Sequence, residues 1–265
     1  MRLTLISLIA LLIFGCTSSL EEELERAHSL REKKDFTQAL SVYDKIIKQK
    51  PNSKLAAKAA IHAAKISRDE NQNYSQAIKY YEYVILFSEK AKAREMAQIS
   101  IADLYFDKLN DYHKSIEAYN KLLQTTTNDT KRVKYRLALA RSNFSLNNFY
   151  QALIEVDSLL DMNLDQKTLY EVLVFKGNIL LTTKKIEDAI SIYKQVIEEF
   201  PEQSRKDNIT MNLALCYEEL NDFDEAIKIL EELKKDYPMP DFIEITIKKL
   251  KKRKENLPGA RGLRR

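Results

Sequence analysis

The sequence predicts an all-α protein, a solenoid of about six stacked helix pairs closed by a C-terminal capping helix. Three observations predict it. The 265 residues include only four glycines and five prolines, too few for the tight turns of a β-sandwich or for a glycine-rich phosphate loop. Leu, Lys, Glu and Ala, all good helix formers, are abundant. One pattern, aromatic-x-x-Ala-aliphatic, then recurs along most of the chain. Its small residue falls at Ala39, Ala77, Ser115, Ala152, Ala189 and Ala226, with spacings of 38, 38, 37, 37 and 37 residues.

The N-terminus reads as a separate object. Arg2 precedes an apolar run of twelve residues, Leu3 to Phe14. A bilayer span takes roughly 20 helical residues, so the run reads as a secretion signal. It ends in Ile13-Phe14-Gly15-Cys16, which resembles the lipobox of bacterial lipoproteins, although Phe14 is larger than that family's usual residue. The resemblance implies a signal peptide over 1–15, cleavage after Gly15 and acyl chains on Cys16, with residues 16–19 as a short tether. Acyl chains contribute about 0.8 kcal/mol per buried CH₂, so several together anchor permanently. Thr17 after the cysteine, where Asp would retain the protein in the inner membrane, implies delivery to the periplasmic face of the outer membrane.

From residue 20 onward the pattern organises the chain. Phe36, Tyr74, Tyr112, Phe149, Ile186 and Phe223 stand three residues before each small residue, and Tyr43, Tyr81, Tyr119, Val156, Tyr193 and Leu230 stand four after it. A second small residue recurs upstream at Ala27, Ala64, Ala102, Ala140, Gly177 and Ala214. Asp or Asn precedes Gln or Glu by three residues in Asp35–Gln38, Asn73–Gln76, Asn148–Gln151 and Asp222–Glu225. That spacing predicts a capping box at the start of each second helix. Ser19–Glu22 predicts another at the start of the first. The aromatic stripes follow helical spacing and are read as core, and the upstream small residues let paired helices approach. Six units of this kind resemble the tetratricopeptide repeat over residues 20–239, with a longer period than that family's 34, no tryptophan, and proline missing from units two to four. The resemblance implies a right-handed α-solenoid with an extended face built from the first helix of each unit. A final helix over 240–256, with Phe242, Ile243, Ile247 and Leu250 turned inward, caps the last unit, and 257–265 is a basic flexible tail.

By the family pattern, the face positions next to the upstream small residues are His28, Lys65, Asp103, Arg141 and Asn178, followed one turn on by Arg68, Phe106, Phe144 and Leu181. This mixture suits a peptide or protein segment. It lacks the repeated Lys/Asn carboxylate clamp of chaperone-binding relatives. His28, His62 and His113 have no partners at metal-ligand spacing, so no metal or cofactor is expected, and His28 reads as a lone surface histidine. Cys216 reads as a small buried apolar group. No nucleophile elbow and no singled-out carboxylate pair points to an enzyme.

The net charge of +4 is unevenly distributed. Lys248, Lys249, Lys251, Lys252, Arg253, Lys254, Arg261, Arg264 and Arg265 against Glu255 give the last eighteen residues +8, and the rest of the chain carries −4. Such a run is either a solvated end or a docking site for an anionic partner. A secreted chain excludes nucleic acid as that partner. The sequence is therefore read as a membrane-anchored, non-enzymatic interaction scaffold of the cell envelope that binds protein segments in the repeat groove, with a place within an outer-membrane assembly complex as one setting. The alternatives left open are a protein binding peptidoglycan or anionic lipid through the basic end, and an accessory subunit of an envelope enzyme.

Overall fold

The computed structural model describes residues 20–256. The signal-like segment 1–15, Cys16 and its tether with Ser19, and the tail with Arg261, Arg264 and Arg265 lie outside the described residues. Among the described residues every regular element is a helix. The chain divides into two compact units that meet between Asn128 and Asp129 in sequence.

The first unit holds α1 (20–32), α2 (Phe36–Gln49), α3 (Lys54–Asp69), α4 (Tyr74–Phe87), α5 (Ala91–Asp107) and α6 (Tyr112–Thr125). The second holds α7 (Asp129–Ser145), α8 (Phe149–Leu160), α9 (Gln166–Thr182), α10 (Ile186–Glu199), α11 (Pro201–Lys206), α12 (Ile209–Glu219), α13 (Phe223–Leu233) and α14 (Pro240–Glu255). Within each unit consecutive helices pack in order, α2 on α3, α3 on α4 and so on. The expected pairing of helices, two per repeat, is present in both.

One turn design joins the two helices of every repeat. The residue before each second helix's N-cap is left-handed: Lys34, Gln72, Asn110, Asn147, Lys184 and Asn221, all with φ between 51° and 61°. The N-cap residue then turns its own N–H back onto the first helix. Asp35 donates to the Leu30 carbonyl at 2.9 Å, Asn148 to Asn143 at 2.8 Å, Lys185 to Leu180 at 2.9 Å and Asp222 to Tyr217 at 2.9 Å. In repeats two and three the acceptor lies six residues back instead of five, Asn73 to Ser67 and Asp111 to Tyr105. This extra turn residue is the origin of the two 38-residue spacings.

The same bonds correct the expected capping boxes. The side chains of Asp35, Asn73 and Asp222 accept from the backbone N–H of Gln38, Gln76 and Glu225 at 3.1–3.2 Å, as predicted. The N-cap's own N–H, however, is taken by the preceding helix, so the Gln or Glu has no reciprocal bond to make. Asn148 makes no side-chain cap bond. Asp111, Ser53 and Asp165 cap their helices without the sequence signature. Each such cap contributes about 1 kcal/mol.

The cores follow the predicted stripes. All six anchor residues from Ala39 to Ala226 are completely buried, and Tyr43, Tyr81, Tyr119, Val156, Tyr193 and Leu230 are buried behind them. Helix α3 buries six alanines, at 56, 57, 59, 60, 63 and 64, so its neighbours come close on both sides. At Gly177 a Cβ would meet the Tyr193 ring at 2.7 Å, so the small residue there is a steric requirement.

Two expectations fail near the C-terminal end. The first helix of repeat six is broken into α11 and α12 by left-handed Asn208, and the break is held from α9 by Tyr170, whose hydroxyl donates to Asp207 at 2.7 Å. Helix α14 buries Ile243, Ile247 and Leu250 as predicted, but Phe242 is 49% exposed. At 100° per residue Phe242 points about 100° away from Ile243, off the stripe that meets α13.

Candidate functional site

The candidate face in the first unit is carried by α1, α3 and α5. His28 is not the lone surface histidine expected. Its ring lies 4.4 Å from that of His62 in an edge-on contact, and both pack against Tyr43, at 6.0 Å and 5.8 Å. Arg31 reaches the Nδ1 of His62 at 3.0 Å. A guanidinium only donates, so Nδ1 accepts and the ring is neutral. Burial first, then the positive charges of His28, Arg31, Lys65 and Lys58, lower the His62 pKa to about 4. The Nε2 of His28 and the hydroxyl of Tyr43 are both buried without a partner. The signal for this cluster was the register of His28 and His62 on neighbouring first helices, and Arg31 was the residue missed.

The other predicted positions divide between face and core. Lys65 is exposed. Arg68 is partly exposed and pairs with Asp69 at 2.6 Å; this bond and the facing charges raise the Arg68 pKa and lower that of Asp69. Asp103 accepts from the hydroxyl of Tyr119, and Asn178 in the second unit accepts from Tyr193 at 2.7 Å. Both are therefore structural acceptors for a core tyrosine of their own repeat, in the register that His28 occupies beside Tyr43.

Phe106 and Phe144 are also packing residues. Phe106 meets Tyr112 edge-on at 5.6 Å, and Phe144 meets Phe149 at 5.4 Å and Phe175 at 5.5 Å. Each covers the aromatic that starts its own second helix. Arg141 is ion-paired to Glu171 of α9, and Leu181 is partly buried against the core around Tyr193. Of the nine first-helix positions, Lys65, Arg68 and Arg141 present charge to solvent, and His28 belongs to the histidine cluster.

The basic run on α14 is largely an internal clamp. Lys251 pairs with Glu231 at 3.3 Å, and Lys254 with Asp224. Arg253 pairs with Glu218 and lies 5.3 Å over the Phe223 ring. Lys248 contacts Glu244 on its own helix at 3.6 Å. Such exposed pairs each contribute about 0–1 kcal/mol. Lys249 and Lys252 make no ion pair among the described residues.

A cavity of about 300 Å³ lies between α12 and α14, with Leu215 and Phe242 as its exposed walls. Another concavity of about 780 Å³ runs along α2 and draws no lining residue from α1, α3 or α5. Among the described residues no three His, Cys, Asp or Glu side chains group as a metal site, and no helix is long and apolar enough to cross a membrane. Cys216 is buried, which pushes its thiol up to about 11.

The tetratricopeptide repeat family matches residues 97–129, from within α5 through α6, and residues 180–243, from the end of α9 into α14. A tetratricopeptide repeat protein from Parabacteroides merdae is 17% identical, with a TM-score of 0.58 over 90% of this chain and 88% of its own. YrrB, a TPR protein with an unusual peptide-binding site, is 17% identical, with a TM-score of 0.53 over 78% and 97%. PilW, a widely conserved type IV pilus biogenesis factor, is 13% identical, with a TM-score of 0.54 over 86% and 98%. These likenesses are of fold. No curated protein matches the sequence. Residues 97–129 and 180–243 thus match tetratricopeptide repeats directly, and the paired all-helical architecture of the described residues is similar to that of solved tetratricopeptide repeat proteins.

Proposed function

We propose that this chain is a lipid-anchored interaction protein of the bacterial cell envelope, which holds a polypeptide segment of a partner against its first-helix face. Cys16 is the anchor, at the periplasmic face of the outer membrane, and the partners are other envelope proteins. The observation that carries the binding half is the face of α1 and α3. There Arg31, Lys65 and Lys58 set positive charge around the His28–His62 pair, and the groups beneath are packed alanines that hold the helices rigid. Rigid elements presenting side chains of one sign favour an extended segment with acidic residues, since they are already ordered before it binds. YrrB, a TPR protein of similar fold with an unusual peptide-binding site, supports peptide binding by such an architecture.

Two experiments test the two halves separately. Cys16→Ala expressed in a bacterial host is expected to move the protein from the membrane to the soluble fraction; unchanged fractionation overturns the anchor. Cross-linking in intact envelopes, compared between the natural chain and Lys65→Glu or Arg141→Glu, is expected to lose partners with the reversals. Unchanged partners overturn the first-helix face as the binding surface.

A further inference from the structure

Helix α14 has one face buried and one without a partner. Ile243, Ile247 and Leu250 lie against α13. On a helical wheel the opposite arc carries Phe242, Ile245, Lys249 and Lys252 within about 80°, with Asp241 in the first turn at the end away from the lysines. Phe242 is 49% and Ile245 52% exposed. Elsewhere the first helices α3, α5, α7 and α9, and the α12 part of the sixth, are each covered by the second helix that follows. Among the described residues α14 has no such cover.

We propose that this outward stripe of α14 docks an acidic amphipathic helix from a partner protein, which lies on α14 as α13 lies on α12. The charges select the occupant. Lys251, Arg253 and Lys254 are neutralised by Glu231, Glu218 and Asp224 of the neighbouring helices, whereas Lys249 and Lys252 on the outward stripe have no acid. The stripe is therefore apolar at one end and cationic at the other, and its complement is a helix with an apolar half and a carboxylate half. A second copy of α14 does not fit. Packed parallel, it sets lysine against lysine, and packed antiparallel, it sets Phe242 against Lys252. Residues 257–265 contain no acid and cannot supply the missing charge. Phe242 also walls the cleft shared with Leu215, Met211 and Leu230, which can take one large apolar side chain from the docked helix.

The probe is a fluorescent, hydrocarbon-stapled 16-residue helix with leucines every three or four residues and two glutamates placed to meet Lys249 and Lys252. A companion peptide carries lysines in place of the glutamates. Fluorescence anisotropy is measured on the full chain in nonionic detergent, with circular dichroism as the folding control. The acidic peptide is expected to bind, and the pair of reversals Lys249→Glu and Lys252→Glu to weaken it about tenfold while creating affinity for the lysine peptide. Phe242→Ala is expected to weaken the acidic peptide, and Lys251→Gln, on the flank, to leave it unchanged. No affinity for the acidic peptide, or the same affinity in the reversed variant, overturns the proposal. Binding to phosphatidylglycerol vesicles in place of the peptide overturns it in favour of a lipid surface.

Discussion

Repeats one and five place a completely buried tyrosine at the same register and treat it in opposite ways. In repeat five, Tyr193 lies against Gly177 and donates to Asn178. In repeat one, Tyr43 stands in the same register relative to Ala27, its hydroxyl is without a partner, and His28 occupies the place of Asn178 with an equally orphaned Nε2. An unpaired buried polar atom costs about 1–3 kcal/mol, whereas a made hydrogen bond contributes about 1 kcal/mol. The difference teaches that this repeat can be tuned at a single position. An amide or carboxylate after the small residue locks the core, as Asp103 does again in repeat three. A histidine leaves it unsatisfied and brings a titratable pair, His28 and His62, up to the first-helix face.

The largest effect that would break this comparison is steric. Gly177→Ala is expected to destabilise the second unit by about 2–3 kcal/mol through overpacking against Tyr193, although alanine is the better helix former by about 1 kcal/mol. Ala27→Gly in repeat one should cost only that propensity difference. Chemical denaturation of both variants checks this, and a stabilised Gly177→Ala would show that the close approach is not required.

Acid should separate the two regions next. All three histidines precede residue 114, and the folded-state pKa of His62 is lowered to about 4 by burial and neighbouring cations. The unfolded chain therefore binds the proton more readily. Stability from this group is intact above about pH 6.5 and is lost as the pH falls toward 4, by about 2 kcal/mol at most because solvent screens a half-buried ring. Hydrogen exchange resolved along the chain at pH 7, 5.5 and 4.5 should show α1–α3 loosening before α9–α10. His62→Gln should flatten that histidine-linked dependence.

A smaller contrast concerns the hydroxyls themselves. Tyr193→Phe is expected to cost about 1 kcal/mol or more, because it removes the donor that satisfies Asn178. Tyr43→Phe should be neutral or stabilising, since it removes a buried oxygen with nothing to bind. Equal thermal shifts for the two would end the distinction between the repeats. The smallest effect should be common to both. Lys34 and Lys184 hold left-handed backbone at φ 61° and 59°, so Lys34→Gly and Lys184→Gly are each expected to stabilise by about 0.5–1 kcal/mol. A loss at either site would mean that its lysine side chain makes a contact outweighing the backbone strain.

What the sequence by itself determined was the periodic part. A helix pair needs apolar residues at helical spacing, small residues where axes approach and a cap at each start, and these are local patterns, so Ala39 through Ala226, Tyr43 through Leu230 and the caps at Asp35, Asn73 and Asp222 were legible as text. Tertiary structure alone decided what each face position was for. Asp103, Phe106, Phe144 and Asn178 looked free to meet a ligand, yet each lies against an aromatic more than four residues away along the chain, and three of the basic residues of α14 found acids on α12 and α13. The meeting of His28 with His62 and Arg31, the exposure of Phe242 and the break at Asn208 belong to the same class. Their physical reason is shared. Burial and pairing depend on which helices stack, and stacking brings together residues that no local pattern connects.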